Sequence, residues 1–266
     1  FTAALAGADS LFETEYRLPR VDGGWGWVAV RGRALERDRD GKPRRSAGTL
    51  TDVGERKEAE LLLQIEHEFA GLLLAEPTLD ELYPAILGAC LRLPGLDGGG
   101  LYRRQEDGSF RLVAHAGLSG RFIGRIDHLP VDSPQAAVIR EGRLRCSCLE
   151  DCDHCTDADL VRAPPAAEEG IRALVVLPIL VDGDAVACLN LASRHQDSTP
   201  VRTVTALETL ARQFAQALAR VRAAETARHR QADLAGIFAA VADHLFVIDP
   251  AGRTLHYNPA VAEEIE

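Results

Sequence analysis

The sequence predicts an α+β chain in which groups of short strands alternate with long amphipathic helices. Three observations carry that prediction. Residues 12–57 hold three segments that alternate apolar and polar residues, 13–18, 25–35 and 45–51, separated by the glycine turns Asp22-Gly23-Gly24 and Asp40-Gly41. Residues 54–75 carry Leu62, Ile65, Phe69 and Leu72 or Leu73 at helical spacing, with glutamates and lysine opposite. Residues 173–180 and 185–192 are apolar strand-like runs joined by the hairpin turn Val181-Asp182-Gly183-Asp184.

The other elements follow in chain order. Gly48-Thr49-Leu50-Thr51-Asp52-Val53 closes the first strand group, and Glu55-Arg56-Lys57 opens the first helix. Glu76-Pro77-Thr78 breaks the helical spacing, and Thr78 with Glu81 forms a capping box for a second helix through Leu82, Ile86 and Cys90. Residues 94–100 read as a turn-rich loop, and 100–104 and 110–116 as strands on either side of Glu106-Asp107-Gly108. A long irregular stretch, 117–170, contains the cysteine cluster. A last helix runs from after Pro200 to about Val241. In it Leu207, Phe214 and Val221 recur at sevens, with Leu210, Ala217 and Ala224 three further on. That spacing fits either burial on the chain's own sheet or the a/d seam of a parallel two-stranded coil. Beyond Val221 the seam is mostly alanine with charged flanks, and there a dimeric helix is expected.

Composition bounds the function. A chain of 266 residues can bury one or two cores. With 46% hydrophobic and 26% charged residues it is globular, neither disordered nor fibrous. A net charge of −10 argues against a duplex nucleic-acid surface, which needs a clustered basic footprint. The basic runs at 31–45 and 220–230 are interrupted by acids or lie along a helix face. No run approaches the roughly twenty apolar residues of a membrane span, and no signal peptide is evident. The six cysteines, four of them crowded together, suit a reducing cytoplasm better than a secreted disulfide framework. Lacking an initiating methionine and beginning inside a strand group, the chain is expected to be a piece of a longer protein.

Two families account for most of these features. Glu15-Tyr16-Arg17, then Asp22-Gly23 with Trp25 and Trp27-Val28, then Gly48-Thr49 with Thr51-Asp52-Val53 and Glu55-Arg56-Lys57 resemble the C-terminal half of a PAS domain running into its trailing helix. Gly54 stands where that family usually carries a threonine able to cap the helix, so a looser helix start is expected. Gly170-Ile171-Arg172, Pro178, Gly183 and Leu189-Asn190, with the helix after them, resemble a GAF domain over about 75–224. Ala187 replaces that family's usual glycine. Phe246-Val247-Ile248-Asp249-Pro250, Gly252-Arg253 and Asn258-Pro259-Ala260 resemble the opening of a second PAS domain, with Pro259 at the first position of a helix.

The resemblance implies a GAF domain with an antiparallel sheet and flanking helices, preceded and followed by partial PAS domains joined by long signalling helices. The layout is 1–53 for the end of one PAS domain, 54–74 for a signalling helix, 75–224 for the GAF domain, 225–240 for a second signalling helix and 241–266 for the start of another PAS domain.

Two groups of residues are candidates for chemistry. Cys146, Cys148, Cys152 and Cys155, with His154 among them, place four soft ligands within ten residues, enough to wrap zinc or an iron–sulfur cluster. Their spacing is neither that of a zinc ribbon nor that of a ferredoxin. Glu150, Asp151 and Asp153 disfavour bare thiolates, which favours a cation over a reactive thiol. A metal site, a redox-labile thiol pair and incidental loop cysteines stay open as alternatives. Related GAF sequences are cysteine-poor here. The second group is apolar: Leu112, Ala114, Ile126, Leu129 and Val138 are expected to line a small-ligand cavity. Cys90 and Cys188 sit on apolar patterns and are expected in the core.

Catalytic arrangements are missing from the sequence. No glycine-rich phosphate loop, phosphoacceptor helix, cyclase motif or HD-type ligand set is present. His67 reads as a solvated helix residue, and His115 as a core or pocket residue. Bilin-type and cyclic-nucleotide motifs are absent, and aromatics at 5% give no support to a flat haem or flavin pocket. The PAS and GAF resemblance implies a cytoplasmic sensory input module, expected to be non-enzymatic itself. It would relay small-ligand, redox or metal state through a homodimer of helices to a downstream effector. By resemblance that effector is a histidine kinase, or a diguanylate cyclase. The alternatives are a metal or thiol redox sensor built on the cysteine loop, and a purely structural dimerising spacer.

Overall fold

Alternation in the first strand group produces an antiparallel sheet. The computed structural model describes residues 11–19, 25–40, 43–149, 155–157, 159–241 and 243–261. The Asp22–Gly24 turn, Gly41, Glu150, Asp151, Cys152, Asp153 and His154 lie outside them, as do the first ten and last five residues. Strands β1 (Leu11–Pro19), β2 (Trp25–Arg37) and β3 (Pro43–Asp52) stand in that order, with Tyr16 opposite Val28 and Val30 opposite Leu50. Phe12, Val28 and Val30 are buried, and Tyr16 and Leu18 pack against them. Gly48 permits the close approach of β3 to β2, since a Cβ there would stand 2.5 Å from the Arg31 carbonyl oxygen.

Helix α1 (Gly54–Leu74) starts one residue after β3. Asp52 Oδ1 accepts from the Gly54 N–H at 2.7 Å, and the Val53 N–H donates to the Trp27 carbonyl at 3.0 Å. Asp52 thus takes the amide of the helix's first residue, whereas the looseness expected from Gly54 concerns the later amides that a threonine side chain there would reach. Glu15 accepts from Arg56 and, at 2.7 Å, from Lys57. Arg17 and Lys57 stand over the Trp27 ring at 4.9 and 5.5 Å. The motif residues separated along the sequence therefore meet at one sheet–helix corner.

The chain divides into two units, Phe1–Gly71 and Leu72–Glu266. The second unit begins with α2 (Leu79–Cys90), whose Thr78 side chain accepts from the Glu81 N–H while Glu81 accepts from the Thr78 N–H, completing the capping box. Then come β4 (Gly98–Arg104), β5 (Phe110–Ala116), α3 (Gly120–Ile126), β6 (His128–Leu129), α4 (Pro134–Arg140), β7 (Arg145–Cys148), β8 (Cys155–Asp157), α5 (Asp159–Arg162) and α6 (Pro164–Glu169). β9 (Ala173–Val181), β10 (Asp184–Ser193) and α7 (Val201–Ala240) follow, and β11 (Phe246–Ile248) and β12 (Thr254–Tyr257) close the described chain.

The central sheet has the order β6-β5-β4-β10-β9-β7-β8, antiparallel except for β7 with β8. The β9–β10 hairpin turns through Asp182 at φ 53° and Gly183 at φ 88°, the left-handed pair that matches strand twist. β9 tolerates Pro178 because β7 reaches only to Val176, leaving β10 as its strand neighbour there among the described residues. Helices α2 and α7 cover one face through Leu82, Ile86, Leu207, Leu210 and Phe214, all fully buried. The other face carries α4.

Residues 117–170, expected to be irregular, hold short helices and strands instead. Ser119 and Ser133 accept from the Phe122 and Ala136 amides, in the first turns of α3 and α4, and Pro134 and Pro164 fit helix starts. Each piece is too short to show a period, so only pairing with the sheet reveals it. Among the described residues no helix is long and apolar enough to cross a membrane.

Candidate functional site

Strand pairing sorts the candidate residues onto two faces of the central sheet. Tyr102 lies opposite Cys188, and Asn190 opposite Val176, so these four share one face. Leu112, Ile126, Leu129 and Val138 join them there, in a single apolar cluster with Phe110, Ala136 and Ile139. Four of the five residues expected to line a ligand cavity are therefore brought together.

Ala114 is set apart. A β-bulge between Leu101 and Tyr102 pairs Tyr102 with Leu112 but Leu101 with Ala114. The extra residue breaks the two-residue alternation, so Ala114 turns with Leu101 toward the helix-covered face. Strict alternation along β5, which put 112 and 114 side by side, fails at this one step.

The apolar cluster has polar groups that the sequence reading did not select. Burial pushes the Tyr102 phenol well above the ordinary value, and the nearby Cys188 adds to that while a hydrogen bond with Asn190 opposes it. Cys188 Sγ approaches Asn190 Oδ1 at 3.5 Å, and burial likewise pushes its thiol well above the usual range. Leu112 N–H donates to the Asp127 carbonyl at 2.8 Å, tying β5 to the end of α3. Tyr102, Cys188 and Asn190 form a compact donor–acceptor set against the apolar cluster. The alternation in β4 and β10 marks their shared face, but only the pairing makes them neighbours.

The cysteines lie elsewhere. Cys146 is opposite Val175 and Cys148 opposite Ala173, so both turn away from Leu174 and Val176 of the apolar cluster. Both are buried. Ser147, between them, points the other way, and its Oγ accepts from the Val161 N–H at 3.4 Å. The parallel β7–β8 pair sets Cys155 beside Cys146 in register. Among the described residues no group of three or more His, Cys, Asp or Glu converges as metal ligands. Cys152 and His154 lie outside those residues.

The heptad positions of α7 resolve in part. Leu207, Leu210, Phe214, Ala217 and Val221 are buried within the second unit, so the chain's own sheet takes the seam to Val221. Leu234 and Ile237 beyond it are 67% and 63% exposed.

Comparison with known proteins follows the same division. The GAF domain model matches residues 76–219, and the PAS fold model matches residues 1–50. No curated protein matches the chain. Solved structures share the fold at low identity. A GAF domain from a phosphoenolpyruvate-protein phosphotransferase of Coxiella burnetii is 18% identical, covering 64% of this chain and 96% of that one with a TM-score of 0.50. A phycoerythrobilin-bound GAF domain from a cyanobacterial phytochrome is 16% identical over 63% of this chain and 99% of that one, at 0.52. The Stigmatella aurantiaca phytochrome photosensory core module is 16% identical over 90% of this chain and 51% of that one, at 0.53.

Proposed function

Because the chain belongs to the GAF domain family through residues 76–219, with a PAS-fold segment ahead of it, we propose that it is a sensory input module whose GAF domain reports a small bound ligand through α7. The observation that carries this reading is the double life of α7. Its forty residues form one helix, about 60 Å long at 1.5 Å per residue. The part up to Val221 is core of the sheet that bears Tyr102, Cys188 and Asn190. The next two turns bond to the same chain through Arg222, Glu225 and Arg228, and residues 229–237 are exposed ahead of the β11–β12 hairpin. A ligand that binds two packings of the sheet with different affinity shifts the population of both, and the helix carries that shift outward. In this reading residues 222–240 pair with a second copy, the module is non-enzymatic, and the receiver is an effector such as a histidine kinase or a diguanylate cyclase.

Native mass spectrometry of the anaerobically purified protein tests the reading directly. A dimer carrying one organic ligand per chain supports it. A monomer without ligand removes it. A chain ending at Ala224 that keeps an unchanged dimer mass removes the α7 coil alone.

A second reading places the sensor at the cysteines, and the β7–β8 register that sets Cys146 beside Cys155 favours it. Zinc or an iron–sulfur cluster would then be held by Cys146, Cys148, Cys152 and Cys155. The measurement is zinc and iron content with the visible spectrum, on protein purified without an affinity metal. About one metal site per chain, lost when all four cysteines become serine, supports this reading. Metal-free, colourless protein returns the cysteines to an incidental role.

A further inference from the structure

Helix α1 ends at a residue of the wrong type for its backbone. The Glu76 N–H still donates to the Leu73 carbonyl at 3.3 Å, and Glu76 then takes a left-handed φ of 50°. That position after a helix is usually glycine, because a Cβ disfavours the conformation. What the side chain does here is reach α7: Glu76 Oε2 accepts from Arg228 Nη2 at 3.0 Å.

The start of α2 leans on the same stretch of α7. Thr78 takes the Glu81 N–H inside the capping box, but the Leu79 N–H donates to Glu225 Oε1 at 3.0 Å, a carboxylate 146 residues further along the chain. A carboxylate also suits the positive end of a helix. Apolar packing leaves this corner open. A cavity of about 200 Å³ remains among Leu73, Pro77, Val221 and Ala224, with Glu76, Arg220 and Arg228 also lining it. Val221 is the last buried residue of α7, and Arg222 adds one long bond, 3.4 Å, to the Val186 carbonyl. The two turns after Val221 are thus held by polar bonds. An exposed ion pair is weak and a bond from a buried amide to a charge is stronger, so Glu225 is the main fastening and Arg228 the second.

We propose that this corner is a latch between the incoming helix α1 and the outgoing helix α7. Closed, it holds residues 222–228 against the second unit. Displacement of the end of α1 draws Glu76 and the start of α2 away from Arg228 and Glu225, and α7 is then free from Arg222 onward. This path bypasses the sheet and needs no ligand there, so it stands apart from the small-ligand reading above.

Hydrogen exchange of the whole chain, followed in peptides spanning 76–83, 184–193 and 222–232, tests the latch. Glu225→Ala is expected to speed exchange about tenfold in 76–83 and in 222–232, because a hydrogen bond to a charged group contributes at that level. Glu225→Gln, which keeps an acceptor, is expected to restore part of the protection. Glu76→Gly separates the latch from a local turn. Glycine favours the backbone at 76, so a turn without a latch becomes more stable and leaves 222–232 as it was. With the latch, loss of the Arg228 pair speeds exchange in 222–232 about two- to fivefold. Peptide 184–193, at the centre of the sheet, is expected to keep the parent's rate in every variant. The proposal is overturned by unchanged exchange in 222–232 in either Glu225→Ala or Glu76→Gly. Acceleration shared by 184–193 overturns it too, since that reports a general loss of stability.

Discussion

Arg194 joins three separate segments through one side chain. Its Nη2 donates to the Gly117 carbonyl at 2.6 Å, while the guanidinium pairs with Asp97 at 3.2 Å and Glu169 at 3.3 Å. Glu169 in turn accepts from the Ser119 N–H at 2.8 Å and the Ser119 hydroxyl at 2.6 Å. Burial would raise the Glu169 carboxyl, but the Ser119 bonds and the Arg194 charge outweigh it and hold it below its ordinary 4.5. A lowered carboxylate contributes stability that is complete above the unfolded pKa, about 4.3, and is lost as pH falls through the folded value. Glu169→Gln is therefore expected to lower the melting temperature at neutral pH and to flatten its decline below about pH 4.5. Thermal scans across that range check this, and an acid limb as steep as that of the parent would contradict it. Nothing in the sequence links Asp97, Glu169 and Arg194, because they are far apart along the chain and ordinary in type. Thr78 and Glu81 were legible, since a capping box closes within one turn.

At the scale of elements, α7 shows where periodicity stops being decisive. The seven-residue repeat is satisfied equally by a partner helix and by a sheet, and the structure gives Leu207 to Val221 to the sheet. Phe214→Ala is expected to cost about 3–5 kcal/mol in urea unfolding, since it empties a fully buried position. Leu234→Ala with Ile237→Ala, both exposed, is expected to change intrachain stability by less than about 0.5 kcal/mol each. In the proposed dimer the same pair lowers the dimer fraction in sedimentation velocity. A dimer unaffected by it places the contact elsewhere. β5 makes a parallel point. Its alternation marks a strand, Phe110–Ala116, but the bulge at its middle turns Ala114 to the other face. Bulges depend on the neighbouring strand and carry no signal of their own here.

For the molecule as a whole, the division into Phe1–Gly71 and Leu72–Glu266 predicts two unfolding transitions in calorimetry. Gly48→Ala, whose Cβ would lie 2.5 Å from the Arg31 carbonyl, should lower only the transition of the first unit, and Phe214→Ala only that of the second. One transition moved by both variants would show that the units unfold together. The order and type of the main elements, the Asp182-Gly183 hairpin and the α2 cap were set by the sequence alone, because period, turn conformation and capping are local properties. Tertiary structure decided which residues face one another: the Tyr102–Cys188–Asn190 group beneath the apolar cluster, and Cys146 and Cys148 on the opposite face. The physical reason is that sheet register has a period of two. A single bulge or a change of neighbour moves a side chain to the other face, and that choice rests on pairing between segments remote in sequence.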